Sequence, residues 1–165
     1  MEPTSAEEIA EIRRSVAALC ERFGNEYWRA LDRERKYPSD FVSAMTESGF
    51  LGVLVPEAYG GVGQGLVVAA NILEEVHACG ANAAAIHAQM YTMGTLLRHG
   101  SAAQKQMWLP KIATGEIRLQ AFGVTEPAAG TDTRSIRTTA ERRGDTYVIN
   151  GQKVWTSRAE HSDLM

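Results

Sequence analysis

Apolar residues at Ile9, Ile12, Val16, Leu19 and Phe23 recur at helical spacing, so the start of the chain carries one apolar stripe flanked by polar positions. Ser5-Ala6-Glu7-Glu8 in front of it has the form of a capping box, with Ser5 as N-cap and Glu8 reaching back to it. Residues 25–36 read as a short polar helix. Pro38 suits the first turn of the next one, which Gly49 should stop. The apolar run "FLGVLVPEAYGGVGQG" over residues 50–65 is broken by Pro56 and by glycines, and reads as a loop. Val68, Ile72, Leu73 and Val76 then carry a helix that ends near Gly80, and a small-residue apolar helix is predicted from about Asn82 to Arg98. Ser101-Ala102-Ala103-Gln104 forms a second capping box, opening a helix that Gly115 closes.

After Gly115 the period changes. "IRLQAFGVT" (117–125) reads as a strand, and "IRTTAERRGDTYVINGQKVWTS" (136–157) as strands joined by turns at Gly144-Asp145 and Asn150-Gly151. The fold class predicted is α+β: an all-α helical bundle over residues 1–116, then the first strands of an antiparallel, barrel-like β domain over 117–165. "SDLM" closes the sequence where another apolar strand is starting. Two hairpins alone leave edges unpaired and a face uncovered, so the expectation is that these residues are the N-terminal part of something longer.

Composition narrows the function classes. The 165 residues are 44% hydrophobic and 22% charged, which is ordinary for a globular chain and excludes disorder. A net charge of −3 without a Lys/Arg-rich run leaves no electrostatic footprint for nucleic acid or anionic membrane. No stretch approaches the roughly 18 apolar residues needed to span a bilayer, and the acidic N-terminus is no secretory signal. Cys20 and Cys79 are too few and too isolated to read as a disulfide framework or a metal site, so a cytoplasmic, reduced setting is the default. His77, His87, His99 and His161 lack metal-ligand spacing.

Several tempting features reduce to structure. "GGVGQG" (60–65) would need Gly at position 66 to make a dinucleotide fingerprint, and Leu66 stands there. Glu74 and Glu75 are adjacent on a helix and diverge by about 100°, which suits a solvated face better than paired acid/base work. His87, on the apolar helix, reads as a satisfied core histidine.

"FGVTEPAAGTD" followed by "GDTYVINGQKVWTS" closely resembles the paired signature of the acyl-CoA dehydrogenase superfamily, and "GFLGVLVPEAYGGVGQG" and "GSAAQKQMWLPKIATGEI" extend the likeness over nearly the whole chain in the right order. The resemblance implies a helical N-terminal domain, a middle β domain, and a C-terminal four-helix domain lying beyond these residues. It also implies FAD as cofactor, an acyl-CoA thioester as substrate, electron-transferring flavoprotein as acceptor, and a homo-oligomer, dimer or tetramer, once the chain is complete.

By that resemblance Phe122 and Val124 offer main chain to the flavin and Thr125 offers its hydroxyl, while Gly130 lets backbone come close. Trp155, Thr156 and Ser157 form the second cofactor segment, with Trp155 against the isoalloxazine and Ser157 near N5. The family more often has Thr at that position, and Ser lacks the methyl that restricts χ1. Thr131 faces the thioester ligand, and the helix bearing Ala83–Ile86 and Met90–Leu97 floors the acyl pocket. The family's catalytic carboxylate lies in the C-terminal domain, so no catalytic residue is assigned. Glu126, Pro127 and Asp132 read as braces of the loop. Taken singly, Thr125 and Ser157 are equally strand-end hydroxyls satisfying nearby backbone, and Trp155 is core packing. An acyl-CoA oxidase, a flavin monooxygenase and a non-catalytic partner subunit of the same fold stay open as alternatives.

Overall fold

The computed structural model describes residues 4–165. Six helices come first: α1 (Ala6–Cys20), α2 (Asn25–Glu34), α3 (Ser39–Glu47), α4 (Leu66–Ala78), α5 (Ala84–His99) and α6 (Ala102–Thr114). One antiparallel hairpin follows, β1 (Thr139–Arg143) and β2 (Thr146–Asn150), in register Thr139 with Asn150 and Arg143 with Thr146. Both capping boxes form: Ser5 Oγ and Ser101 Oγ accept from the N–H of Glu8 and Gln104, whose side chains accept from the N-cap main chain. Each box satisfies two of the donors a helix start leaves bare. Gly115 ends α6 with φ 78°, and a Cβ there would meet Thr46 Cγ2 at 2.6 Å, so both conformation and space demand glycine.

The apolar stripes meet in one main core. Val16 and Leu19 of α1, Phe41, Val42 and Met45 of α3, Val68, Ile72 and Val76 of α4, and Ile86 and Met90 of α5 are all buried in it. α2, polar by sequence, contributes aromatics all the same: Tyr27 and Trp28 pack edgewise with Phe23 and Phe41 at 5.0–5.2 Å. The 50–65 segment is irregular as predicted, with short 3₁₀ turns at Phe50–Gly52 and Glu57–Tyr59, yet it buries Leu51, Val53 and Val55. A second cluster joins Val55 and Met93 to Leu109, Ile112 and Leu119. No described helix is long and apolar enough to cross a membrane.

Two polar side chains sit inside this body with unmet needs. Gln89 on α5 is fully enclosed, and neither its amide nitrogen nor its oxygen has a partner among the described residues; the same holds for Gln120 Nε2. Gln120 Oε1 is satisfied, accepting from the Tyr37 hydroxyl at 2.7 Å.

Residues 117–125 pair in no sheet among the described residues, which corrects the strand expected there. Their polar groups are taken up singly instead. Asp163 N donates to Arg118 O at 2.9 Å, and Arg118 N to the Asp163 carboxylate at 2.7 Å. Gln120 N donates to Ser162 Oγ, and Leu119 O receives the Thr92 hydroxyl. Arg118, Leu119 and Gln120 thus find partners outside any ladder. Asn150-Gly151 likewise joins no second hairpin. β2 ends at Asn150 and the chain runs on irregularly to Thr156, while Gly151 is extended at φ 159° and so close to Thr138 that a Cβ would collide with it. Of the expected solvated Glu74-Glu75 face, Glu74 is exposed and Glu75 half-buried, and both meet Arg13 of α1, at 3.1 and 2.8 Å.

Candidate functional site

The loop after Gly123 closes on itself at Pro127-Ala128. Glu126 N donates to Ala129 O at 2.9 Å and Ala129 N to Glu126 O at 3.1 Å, a tight turn with Pro127 setting its first corner. The Glu126 side chain turns inward, 7% exposed, and gathers Arg137 N at 2.7 Å, Thr138 N at 2.9 Å, the Thr138 hydroxyl, and Lys153 Nζ at 2.9 Å. Lys153 also donates to Val124 O at 3.0 Å. The Lys153 ammonium foremost, then the Thr138 hydroxyl and the Arg137 N–H, holds the Glu126 carboxyl down at about 2. Asp132 caps the 3₁₀ turn Thr133–Ser135, accepting from Ser135 Oγ at 2.7 Å and from Arg134 N at 3.2 Å, and these bonds lower its pKa. Both carboxylates therefore brace main chain.

Glu126 and Lys153 tie the two sequence motifs together, and the backbone repeats the link: Val154 N donates to Thr125 O at 2.9 Å. Thr125 and Trp155 thus flank a single main-chain bond although the chain between them runs out through the β1–β2 hairpin and back. Trp155 has φ 59°, in the left-handed region that a bulky side chain enters only at a cost of order 1–3 kcal/mol. Trp155 is 89% exposed among the described residues. Thr156 is half-buried, and Ser157 and Thr131 are exposed. Gly130 is exposed with nothing within 4 Å of where a Cβ would stand, so its main chain faces open space.

Phe122, 50% exposed, packs edgewise on Tyr91 of α5 at 5.4 Å, and Tyr91 on His87 at 5.1 Å. His87 is exposed, which corrects its reading as a core histidine: one apolar neighbour per turn does not make every position of α5 buried. Ala83, Ala85, Ile86 and Met93 are core residues, so the open face of α5 consists of His87, Tyr91 and Thr95 with half-buried Gly94 between. A groove of about 530 Å³ opens beside Phe122, lined by Thr92, Leu96, Trp108, Leu119 and Met165 among others.

A bare aromatic face, two hydroxyls and open backbone suit a flat ring that is apolar on its face and polar on its edge. The main-chain N–H groups of Phe122, Val124 and Thr125 have no acceptor among the described residues, which adds donors along that edge. FAD fits this donor set, with Trp155 for the face and the hydroxyls of Thr125 and Ser157 for the rim. Among the described residues no three His, Cys, Asp or Glu side chains converge as metal ligands would. The left-handed backbone and exposed side chain of Trp155 are features that the residue pattern alone does not carry.

Residues 6–116 match the acyl-CoA dehydrogenase N-terminal domain and residues 121–165 the acyl-CoA dehydrogenase middle domain. Acyl-CoA dehydrogenase FadE12 of Mycobacterium tuberculosis is 37% identical over 161 residues, 97% of this chain and 41% of that protein. Glutaryl-CoA dehydrogenase of Desulfococcus multivorans is 37% identical over 94% of this chain and 40% of its own length. The solved glutaryl-coenzyme A dehydrogenase–glutaryl-CoA complex superposes with a TM-score of 0.81 at 31% identity, over 99% of this chain and 42% of that one. The chain belongs to the acyl-CoA dehydrogenase family. It spans about two fifths of the length of these relatives, 41% in the case of FadE12.

Proposed function

We propose that these residues are the N-terminal portion of an FAD-dependent acyl-CoA dehydrogenase, with residues 1–116 as its helical domain and 117–165 as the opening of its cofactor-binding β domain. The observation that carries the reading is the Val154–Thr125 main-chain bond, which sets the exposed Trp155 beside the Thr125 loop. Bound here, a flavin would supply the two-electron redox chemistry for α,β-dehydrogenation of an acyl-CoA thioester, with electron-transferring flavoprotein as the acceptor of those electrons. Trp155 packs its ring against the cofactor, Thr125 and Ser157 donate hydroxyls to it, and Thr156 sets the spacing between ring and hydroxyl. The main-chain N–H groups of Phe122 and Val124 orient its polar edge. Gly130 keeps the approach clear, and Thr131 turns its hydroxyl to the thioester ligand. His87 and Tyr91, in line with Phe122, border the channel for the acyl group.

Glu126 is no general base in this scheme. A carboxyl held at about 2 by a lysine and three further donors is a poor proton acceptor at neutral pH. The base is expected from residues beyond these, and the complete protein from a homo-oligomer. In that longer protein, Thr125→Ala or Ser157→Ala weakens flavin retention or slows flavin reduction, each lost bond being worth on the order of 1–3 kcal/mol if its partner stays buried. Flavin content by absorbance and anaerobic reduction by acyl-CoA measure this; two variants indistinguishable from wild type would sink the assignment. Peroxide release at the rate of turnover would mark an oxidase.

A further inference from the structure

Two thiols far apart in the sequence are carried to the same end of one helix pair. α1 and α4 pack in parallel at a nearly constant offset. The Thr4 hydroxyl donates to Gln64 Oε1 across 60 positions, Arg13 Nη1 to Asn71 Oδ1 across 58, and Arg13 Nη2 to Glu74 Oε1 across 61. Cys20 ends α1 and Cys79 is the C-cap of α4, and their separation falls inside that range. Cys20 is 4% exposed in the core cluster that also holds Val76 and Ile72, and Cys79 is exposed. The Cys79 thiol donates to Glu75 Oε1 at 3.8 Å, and Arg13 Nε holds the other oxygen of that carboxylate at 2.8 Å, which fixes the wall beside the thiols. Burial first, then the neighbouring Cys79, pushes the Cys20 thiol up to about 12.

We propose that Cys20 and Cys79 form a redox-modification site, at which a hydroperoxide converts the two thiols into a disulfide joining the end of α1 to the end of α4. The exposed Cys79 reacts first. Its thiolate sulfur attacks one peroxide oxygen and the O–O bond breaks; the departing hydroxide takes up the proton that the thiol gave up, forming one water and leaving a sulfenic acid on Cys79. The Cys20 sulfur then attacks the Cys79 sulfur; the S–S bond forms, the S–O bond breaks, and the departing hydroxide takes the Cys20 proton as a second water. Two thiols lose two electrons and one peroxide gains them. Cys20, reluctant to ionise, stays inert until Cys79 has been oxidised, so the order of events is built into the burial. Both residues sit at helix ends, where the backbone adjusts most easily to the Cα spacing a disulfide needs.

The experiment uses the purified 165-residue chain, which needs neither flavin nor substrate, treated with stoichiometric hydrogen peroxide. Denatured thiol titration should fall from two thiols to none, with the chain still monomeric on a non-reducing gel. The intact mass should drop by about 2 Da, the signature of one disulfide, and dithiothreitol should restore both thiols. The Tm of the oxidised chain should rise by several degrees. Cys20→Ser and Cys79→Ser should each abolish the mass loss and the Tm rise. A wild-type chain that gains oxygen on Cys79, or dimerises through it, while Cys20 remains titratable would overturn the proposal.

Discussion

Glu126 shows how a single carboxylate decides the use of its surroundings. Its four donors make it a hub joining the loop at Ala129, the start of the hairpin at Arg137 and Thr138, and the second motif at Lys153. A carboxyl lowered from 4.5 to about 2 on folding stabilises the native state at any pH above its ordinary value. That contribution fades as pH falls through about 4.5 towards 2 and is gone below. Relative to the intrinsic rate at each pH, amide exchange at Arg137 and Thr138 should therefore accelerate across that window before exchange in the helices does. Glu126→Gln should produce the same acceleration at neutral pH, because an amide brings donors of its own to a site that supplies only donors. Trp155 behaves in the opposite sense. With its ring in solvent and its φ positive, Trp155→Gly removes strain and little packing, so thermal melting should hold or improve while flavin retention in a longer protein falls.

At the scale of elements, α6 is the most sharply specified. Ser101→Ala should cost about 0.5–2 kcal/mol through the lost box. Gly115→Ala should cost more than the ordinary helix-end substitution, since the added methyl enters the space of Thr46 as well as a left-handed backbone. Urea midpoints at constant m-value test both. Those same features explain what the sequence made readable. Caps, stripes and stop-glycines act within a few residues, so the six helices could be read from neighbours alone. The segment 117–125 could not, because most of its hydrogen-bond partners, among them Tyr37, Thr92, Lys153, Val154, Ser162 and Asp163, come from distant parts of the chain. Alternation gave it strand character without saying whether a ladder would meet it. Asn150-Gly151 misled for a related reason: the glycine is there for room beside Thr138, and the turn preference of the pair goes unused. In the site, the placing of Thr125 next to Val154 rests on tertiary contacts, and only the likeness of motifs anticipated it.

At the scale of the whole molecule the two parts differ in how they are held. The helices are held by two apolar clusters, whereas the β1–β2 hairpin buries neither face, leaving Tyr147 at 63% and Ile149 at 70% exposure. Polar contacts fasten the last residues back onto the helices: His161 stacks on Tyr37 at 4.3 Å, and Ser162 and Asp163 hold the main chain at Gln120 and Arg118. Such bonds contribute about 1 kcal/mol each, far less than a shared core. Local opening should begin at the hairpin and reach the helices last, an order that native-state exchange would display.

The enclosed amide of Gln89 makes the helical body improvable. A buried donor and acceptor left without partners forfeit about 1–3 kcal/mol that a side chain of the same size and no polarity would recover. Gln89→Met keeps the length and flexibility of the side chain and discards the amide, so it should raise the urea midpoint by that order. A drop instead would reveal a trapped water serving the amide. That one substitution would separate a wasted amide from a hydrated one in the middle of α5.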